Sequence, residues 1–412
     1  MTKEYSMGRT HVVFATVSLA WIISAGCQED VNSGRIVADT NSSSTDSTAT
    51  NDSTKPTFLP PQCPLYYEVV QLGTLGGKMS MGLALNNKGW VTGASDVPVC
   101  YEHCGGFLWK PNQDNGKEGE MIDFSIGDDP EASEFKGACR GNTINDRGEI
   151  LGQGLHSLEH MSGWGDTPFY WSEATGFIIP PRHLIDINRY GVSVSHSTPV
   201  DMDTFNAAMA FTWDATGTTE ALPVPDVARP GTNIDVIAIN DDGYVIGHGR
   251  VAEGVWSAPY IWSAETGYKL FRTLEGETGG KTTFLEDFNN YNIVVGKDYG
   301  RPVVWDADGY ITDIGLLTSP ASVFGGAATG INDSNTIVGD DYDAHGNYPW
   351  VYCDGEKHLL SDMVKETDDE IKFGWTAAIN NQGQILINGY FNGIPGRPFL
   401  LFPVYPEVPT AD

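Results

Sequence analysis

Histidines, clustered carboxylates and spaced cysteines are the residues of this 412-residue chain whose types and spacing could do chemistry. His156-Ser-Leu-Glu-His160 matches the His-x-x-Glu-His pattern, in which two imidazoles on one helical face hold zinc and the carboxylate acts as general base. Here it lies between Gly154 and a strand-like segment at Phe169, without helical surroundings or a further ligand, so it reads as a polar loop. Asp340, Asp341 and Asp343, with His345 close by, offer hard oxygen ligands suited to Ca²⁺, although the spacing of a full coordination loop is missing. No cofactor is required by these residues, and Ca²⁺ is the metal they admit. Asp128, Asp129, Glu131 and Glu134 form a second acidic group.

No catalytic residue is assigned. The chain has no Gly-x-Ser-x-Gly elbow, no phosphate-cradling Walker loop and no dinucleotide fingerprint. Scattered carboxylates could pair as in a glycosidase, but the separation that decides such a mechanism is not written in a sequence.

The cysteines point to an oxidising compartment. Cys27 follows Ser24-Ala25-Gly26 and an apolar run from Val12 to Ile23, which suits a signal peptide ending in a lipobox-like site where Cys27 is lipidated. Ordinary secretion with cleavage near Ala25 is the alternative, since Ser24 stands where an aliphatic residue is usual. Cys100 and Cys104 could close a small loop, and Cys63 and Cys353 could bridge neighbouring repeats. Cys139 is then left free or pairs with Cys100 or Cys104, because connectivity is ambiguous from sequence. Expected localisation is the bacterial cell envelope, as a lipoprotein, or the medium. Residues 28–57 are Ser, Thr, Asp and Asn, with too little apolar surface to offset the entropy of ordering, and read as a tether.

The 54 Asp and Glu against 24 Lys and Arg give a net charge of −30, which argues against nucleic acid as a partner, because its phosphates would be repelled. Cationic partners and Ca²⁺ remain open, as does a simple solubility role.

What must position these residues is a repeat. Ala238-Ile-Asn-Asp-Asp-Gly-Tyr-Val-Ile-Gly247 has the form of a hairpin whose polar tip tolerates positive φ. Aligning on its Asn gives Asn86, Asn145, Asn188, Asn240, Asn289, Asn332 and Asn380, between 43 and 59 residues apart, the period of four-stranded propeller blades. Each copy continues to an aromatic strand, carrying Trp109, Trp171, Trp213, Trp262 and Trp305 in the first five, which are expected to pack between blades. The reading is all-β: a seven-bladed propeller over residues 58–405, followed by a tail at 406–412. Strand A, ending at the Asn, is placed innermost. Tyr66 to Leu75 looks like a lone fourth strand, and the last unit lacks one, so pairing Tyr67–Leu72 with Arg397–Phe402 would close the ring.

Leu72-Gly-Thr-Leu-Gly-Gly77, Ala84-Leu-Asn-Asn-Lys-Gly89 and Phe107-Leu-Trp109 make the chain similar to the extracellular HAF repeat, over roughly residues 66–402. Ser195 and Asn292 stand where that repeat has Gly, and the Leu-Gly-Thr-Leu-Gly-Gly segment is largely lost between units two and four. The resemblance implies secretion and repetition and brings no catalytic residues with it. The expectation is a monomeric binding scaffold for a protein or glycan, touching a membrane only through a lipid anchor and recognising its ligand through variable acidic loops on one face. The alternative is an extracellular hydrolase or lyase acting on glycan or peptide at the channel mouth.

Overall fold

A computed structural model describes residues 61–96, 104–124, 139–154, 167–181, 183–196, 210–223, 234–249, 258–275, 282–320, 322–365 and 371–406. Cys27, Cys100, Asp128, Asp129, Glu131, Glu134, His156 and His160 lie outside the described residues, as do the tether and the signal-like segment; of Cys104 and Cys139 only the backbone is described.

The described chain forms seven four-stranded antiparallel sheets, a seven-bladed β-propeller. β1 (Tyr66–Gln71) comes first in the chain and belongs to the last blade. Blade one is β2 (Ser80–Leu85), β3 (Val91–Asp96), β4 (Cys104–Pro111) and β5 (Gly119–Asp123). Blade two is β6 (Cys139–Ile144), β7 (Ile150–Gly154), β8 (Thr167–Ser172) and β9 (Gly176–Ile178). Blade three is β10 (Leu184–Ile187), β11 (Ser193–His196), β12 (Ala210–Trp213) and β13 (Thr219–Ala221). Blade four is β14 (Ile234–Ile239), β15 (Val245–Gly249), β16 (Ala258–Ser263) and β17 (Gly267–Leu270). Blade five is β18 (Phe284–Phe288), β19 (Val294–Asp298), β20 (Arg301–Trp305) and β21 (Ile311–Asp313). Blade six is β22 (Gly325–Ile331), β23 (Ile337–Asp343), β24 (Gly346–Cys353) and β25 (Glu356–Leu359). Blade seven is β26 (Ile371–Ile379), β27 (Ile385–Phe391) and β28 (Ile394–Val404), completed by β1. Within each blade the strands are called A to D, counted outward from the axis.

The closure follows from edge chemistry. β1 pairs with β28 from Tyr66 opposite Val404 to Gln71 opposite Phe399, which removes the open edge that blade seven would otherwise present. Tyr67, 1% exposed, sits in the core of blades six and seven, and Cys63 is disulfide-bonded to Cys353 at the end of β24. Blades two to four, where the repeat pattern is weakest, still have four strands each.

Strand A carries a β-bulge at one position in every blade, between the residues four and two before the Asn, as at Gly82/Ala84 and Leu285/Asp287. The glycine that ends the apolar run lies where a side chain has no room. A Cβ on Gly152 would lie 2.1 Å from the Arg140 carbonyl and 2.3 Å from the Phe169 ring, and Gly339 is as tightly enclosed by Ala327 and Trp350. Blade seven has Ile387 at this position and a second bulge at Phe373/Trp375. Ser195 fills it in blade three, where its buried hydroxyl has no partner; the structure gives no physical account of that choice.

Between blades the aromatic residues of strand C pack against the preceding blade. Trp109 joins Leu386, Leu400 and Phe402 of blade seven, and Trp305 joins Ile246 and Ile261 of blade four. The Trp305 indole N–H donates to the Arg272 carbonyl at 2.7 Å, so its one polar group is satisfied inside the core.

Candidate functional site at the channel and its two faces

The recurring Asn explains both the turn and the ring. Each Asn backbone N–H bonds the carbonyl four residues on, and each Oδ1 accepts the N–H groups two and four residues on, as Asn86 does from Lys88 and Trp90. The third residue after it takes a left-handed conformation: Gly89, Gly148, Gly191, Gly243 and Gly383, with Asn292 and Asn335 in blades five and six. Each Asn Nδ2 then donates to the backbone carbonyl of the Asn in the next blade, and Asn380 donates to Asn86. Seven such bonds of 2.9 to 3.4 Å form a closed ring around the channel. All seven side chains are buried. Asn292 and Asn335 also accept from the Asn240 and Asn289 amides, so replacing glycine there adds an acceptor to the ring.

A second ring lies one residue further, at Asn87, Asp146, Arg189, Asp241, Asn290, Asp333 and Asn381. Each side-chain oxygen accepts the backbone N–H of its counterpart in the preceding blade, as from Asn381 to Asn87 and from Asp333 to Asn381. Arg189 has no acceptor to offer, and the pattern is interrupted between Asp146 and Arg189. Arg189 instead approaches Asp241 at 3.5 Å.

Inside these rings lies a cavity of about 340 Å³, lined by the inner strands and the Asn turns. Asp186, Glu286 and Asp287 line it. Asp186 accepts from Thr143 and from the Ile239 N–H of blade four, while Asp287 accepts from its neighbour Phe288 and from the Ile331 N–H of blade six. Desolvation pushes the Asp287 carboxyl up to about 7, against the pull of those two bonds. Desolvation raises Asp186 too, and the Asp186 charge adds to the rise at Asp287. Glu286, the bulged residue of β18, is also raised by desolvation, with Lys297 opposing. Its side chain is exposed to solvent, which limits that rise.

Asp340, Asp341 and Asp343 lie in β23, where successive side chains point to opposite faces of the sheet, and each accepts hydrogen bonds from the framework. Asp340 accepts from the Thr376 N–H and hydroxyl of blade seven, and desolvation raises its carboxyl to about 7. Asn388 does the same work between blades seven and one, bonding both the N–H and the carbonyl of Gly82. Asp341 is fully buried, accepting from the Trp350 indole at 2.9 Å, Lys357 at 3.0 Å and the Leu317 N–H at 2.6 Å. Asp343 holds Ser322, Tyr348 and the tight turn at His345 and Gly346, bonds that lower its carboxyl to about 2, the Ser322 hydroxyl contributing most.

The Leu317 contact is repeated. Leu75 donates its N–H to Ser95 and Leu274 donates to Asp298, so the last Leu of each Leu-Gly-Thr-Leu-like segment docks on a polar residue near the end of strand B. Ser95, Asp298 and Asp341 could have been found by aligning the repeats on that Leu. The carboxylates of the channel carry no comparable signal, since only two blades have Asp two residues before the Asn.

The face opposite the Asn turns is uneven. In blades five to seven strands B and C are joined by two residues, Tyr299-Gly300, Ala344-His345 and Asn392-Gly393. In blades one to four the corresponding connections are residues 97–103, 155–166, 197–209 and 250–257, outside the described residues.

No protein-family model matches the chain, and no curated protein matches it. Among solved structures, it is similar to the extracellular domain of a hybrid two-component system from B. thetaiotaomicron, at 8% identity and a TM-score of 0.43, covering 81% of this chain and 39% of that one. It is similar to prolyl oligopeptidase B from Galerina marginata at 12% identity and a TM-score of 0.48, covering 80% of this chain and 48% of the other. The β-propeller domain of the Trilobed protease from Pyrococcus furiosus is matched at 12% identity and a TM-score of 0.37, covering 70% of this chain and 100% of that domain. The chain thus spans less than half the length of the first two, and no activity is carried over from any of the three.

Proposed function

We propose that the protein is an exported recognition scaffold, a monomer of the extracellular HAF repeat type anchored through a lipid on Cys27, which binds a protein or glycan through the loop face of blades one to four. The observation that carries this reading is the asymmetry of that face. Seven blades share one turn geometry on the Asn side, yet the B–C connections are two residues long in blades five to seven and much longer in blades one to four. Segments released from the repeat while the frame stays fixed are where propellers carry recognition. Export is supported by the signal-like amino terminus and by the Cys63–Cys353 bridge, a bond that persists in oxidising compartments. The acidic excess suits a ligand with cationic groups, or Ca²⁺ shared between ligand and loops.

The test is a glycan array and a peptide library probed with the full chain, with and without Ca²⁺. It is repeated with a variant in which residues 155–166 and 197–209 are each replaced by the Tyr-Gly turn of blade five. Binding is expected to disappear in the variant while the melting temperature holds; a ligand retained by the variant defeats the assignment to this face.

One observation favours a second reading, an extracellular hydrolase or lyase acting on glycan or peptide at the channel mouth. Asp186, Glu286 and Asp287 share the cavity, and a carboxyl near 7 is poised to donate a proton at neutral pH. Turnover in a hydrolysis screen that is abolished by Asp287→Asn or Glu286→Gln would replace the scaffold reading with this one.

A further inference from the structure

Cys63 and Cys353 are joined where the amino-terminal segment meets blade six, and His358 stands beside them. The three ligand atoms, two sulfurs and one imidazole nitrogen, lie within 4.8 Å of one another. The arrangement follows from the sheet. Cys353 pairs with Glu356 across β24 and β25, and His358, two residues along the same strand, projects from the same face. The segment carrying Cys63 is held against this edge independently of the bridge: the Asp354 N–H donates to the Pro61 carbonyl, and the Cys63 N–H donates to the Asp354 carboxylate at 3.1 Å. His358 Nε2 is buried and has no hydrogen-bond partner, an arrangement that costs free energy unless something else occupies the nitrogen.

We propose that reduction of the Cys63–Cys353 bridge creates a Zn²⁺ site formed by these two thiolates and the His358 imidazole. A dithiol reductant transfers two electrons and two protons to the bridge and is itself oxidised to a disulfide, leaving two thiols. Zn²⁺ displaces both thiol protons and takes the lone pair of neutral His358, while water fills the remaining position of a tetrahedral Cys₂His set. Two thiolates balance the metal charge, and soft sulfur ligands select zinc over the hard cations that the acidic surface attracts. The bound metal keeps β1 fastened to blade six after the covalent tie is cut. This inference stands apart from the loop-face reading and survives its failure.

The experiment reduces the full chain with a dithiol, removes the dithiol by gel filtration under inert gas, and titrates Zn²⁺ with native mass spectrometry. Co²⁺ substitution reads thiolate-to-metal charge transfer. The reduced protein is expected to take up one equivalent that the oxidised protein does not, and to melt at a higher temperature with zinc than without. Cys63→Ser and Cys353→Ser should each lose the charge-transfer band from this site. His358→Ala, which leaves the bridge intact and should melt like the wild type when oxidised, should weaken zinc binding at least tenfold once reduced. Reduced wild type that takes up no equivalent overturns the proposal. So does uptake left unchanged by Cys63→Ser, which would place the metal on Cys100, Cys104 or Cys139, and so does affinity left unchanged by His358→Ala.

Discussion

The Asn-turn face and the loop face end the same inner strands, and they differ in how tightly each connection is coupled to its neighbours. On the turn face an Asn side chain in every blade holds its own turn with one oxygen and grips the next blade with its nitrogen. A change there is felt by two blades. On the loop face strands B and C of blades five to seven are joined by two residues, as by Asn392-Gly393 with both at positive φ, and the corresponding connections of blades one to four are longer. Variation in connection length thus falls on the face away from the closed Asn ring.

The largest effect should come from breaking the ring itself. Deleting residues 60–75 removes β1, the buried Tyr67 and Leu72, and the Cys63 bridge. The loss should exceed about 5 kcal/mol, comparable to the whole stability of an ordinary domain, and abolish cooperative urea unfolding. A truncated chain that unfolds with the wild-type midpoint would show that β1 merely decorates blade seven.

Next in size are single links of the Asn ring. Asn380→Ala strands the N–H groups of Gln382 and Gln384 and the carbonyl of Asn86, and should cost about 3 kcal/mol by denaturant titration. Asn380→Asp keeps the turn acceptors but sets a buried carboxylate oxygen, in place of the Nδ2 donor, against the Asn86 carbonyl and the Gln384 side-chain oxygen, so it should cost at least as much. A loss well below that of Asn380→Ala would mean that the turn matters most and that the cross-blade bond contributes little.

Asp340 sharpens the comparison through pH. Its carboxyl, raised to about 7 in the folded protein from 3.8, binds a proton more tightly there than in the unfolded chain. Its contribution to stability is therefore greatest below about pH 4, falls as pH rises to about 7, and is flat beyond. Asp340→Asn, the residue used in the same way at Asn388, should abolish that decline and stabilise the protein at pH 8 by on the order of 2 kcal/mol, allowing for partial exposure. The check is the difference between variant and wild-type midpoints across pH 4 to 8; a constant difference would refute the assignment.

The smallest effect on stability belongs to the loop face. Replacing residues 155–166 with Tyr-Gly should move the melting temperature by no more than about 2 °C, within the range of a surface change. A larger drop would show that this connection belongs to the frame.

The seven blades, their period and the pairing of the two ends were legible because each rests on local pattern: a polar turn with positive φ, a Pro- or aromatic-led strand, and a missing fourth strand. The hydrogen-bonding partners of Asp340, Asp341 and Asp343 were not legible in the sequence. A run of acids looks alike in a loop and in a strand, and only the partners show what these three carboxylates hold: Thr376 across the blade boundary for Asp340, Trp350 and Lys357 within blade six for Asp341, and Ser322 and Tyr348 for Asp343. The Asn was legible as a turn residue, and its second hydrogen-bonding role was not, because the partner carbonyl lies 43 to 59 residues away around the ring, and 294 away for Asn380.

By itself, then, the sequence determined which residues turn, which extend and how often the unit recurs, since turn and strand preferences are decided within a few bonds of each residue. Only the tertiary structure decided which carboxylates face the channel, which are spent between blades, and that His358 stands beside the Cys63–Cys353 bridge. Those outcomes depend on the bulge in each inner strand and on the closing of the ring, which bring together groups that the chain holds far apart.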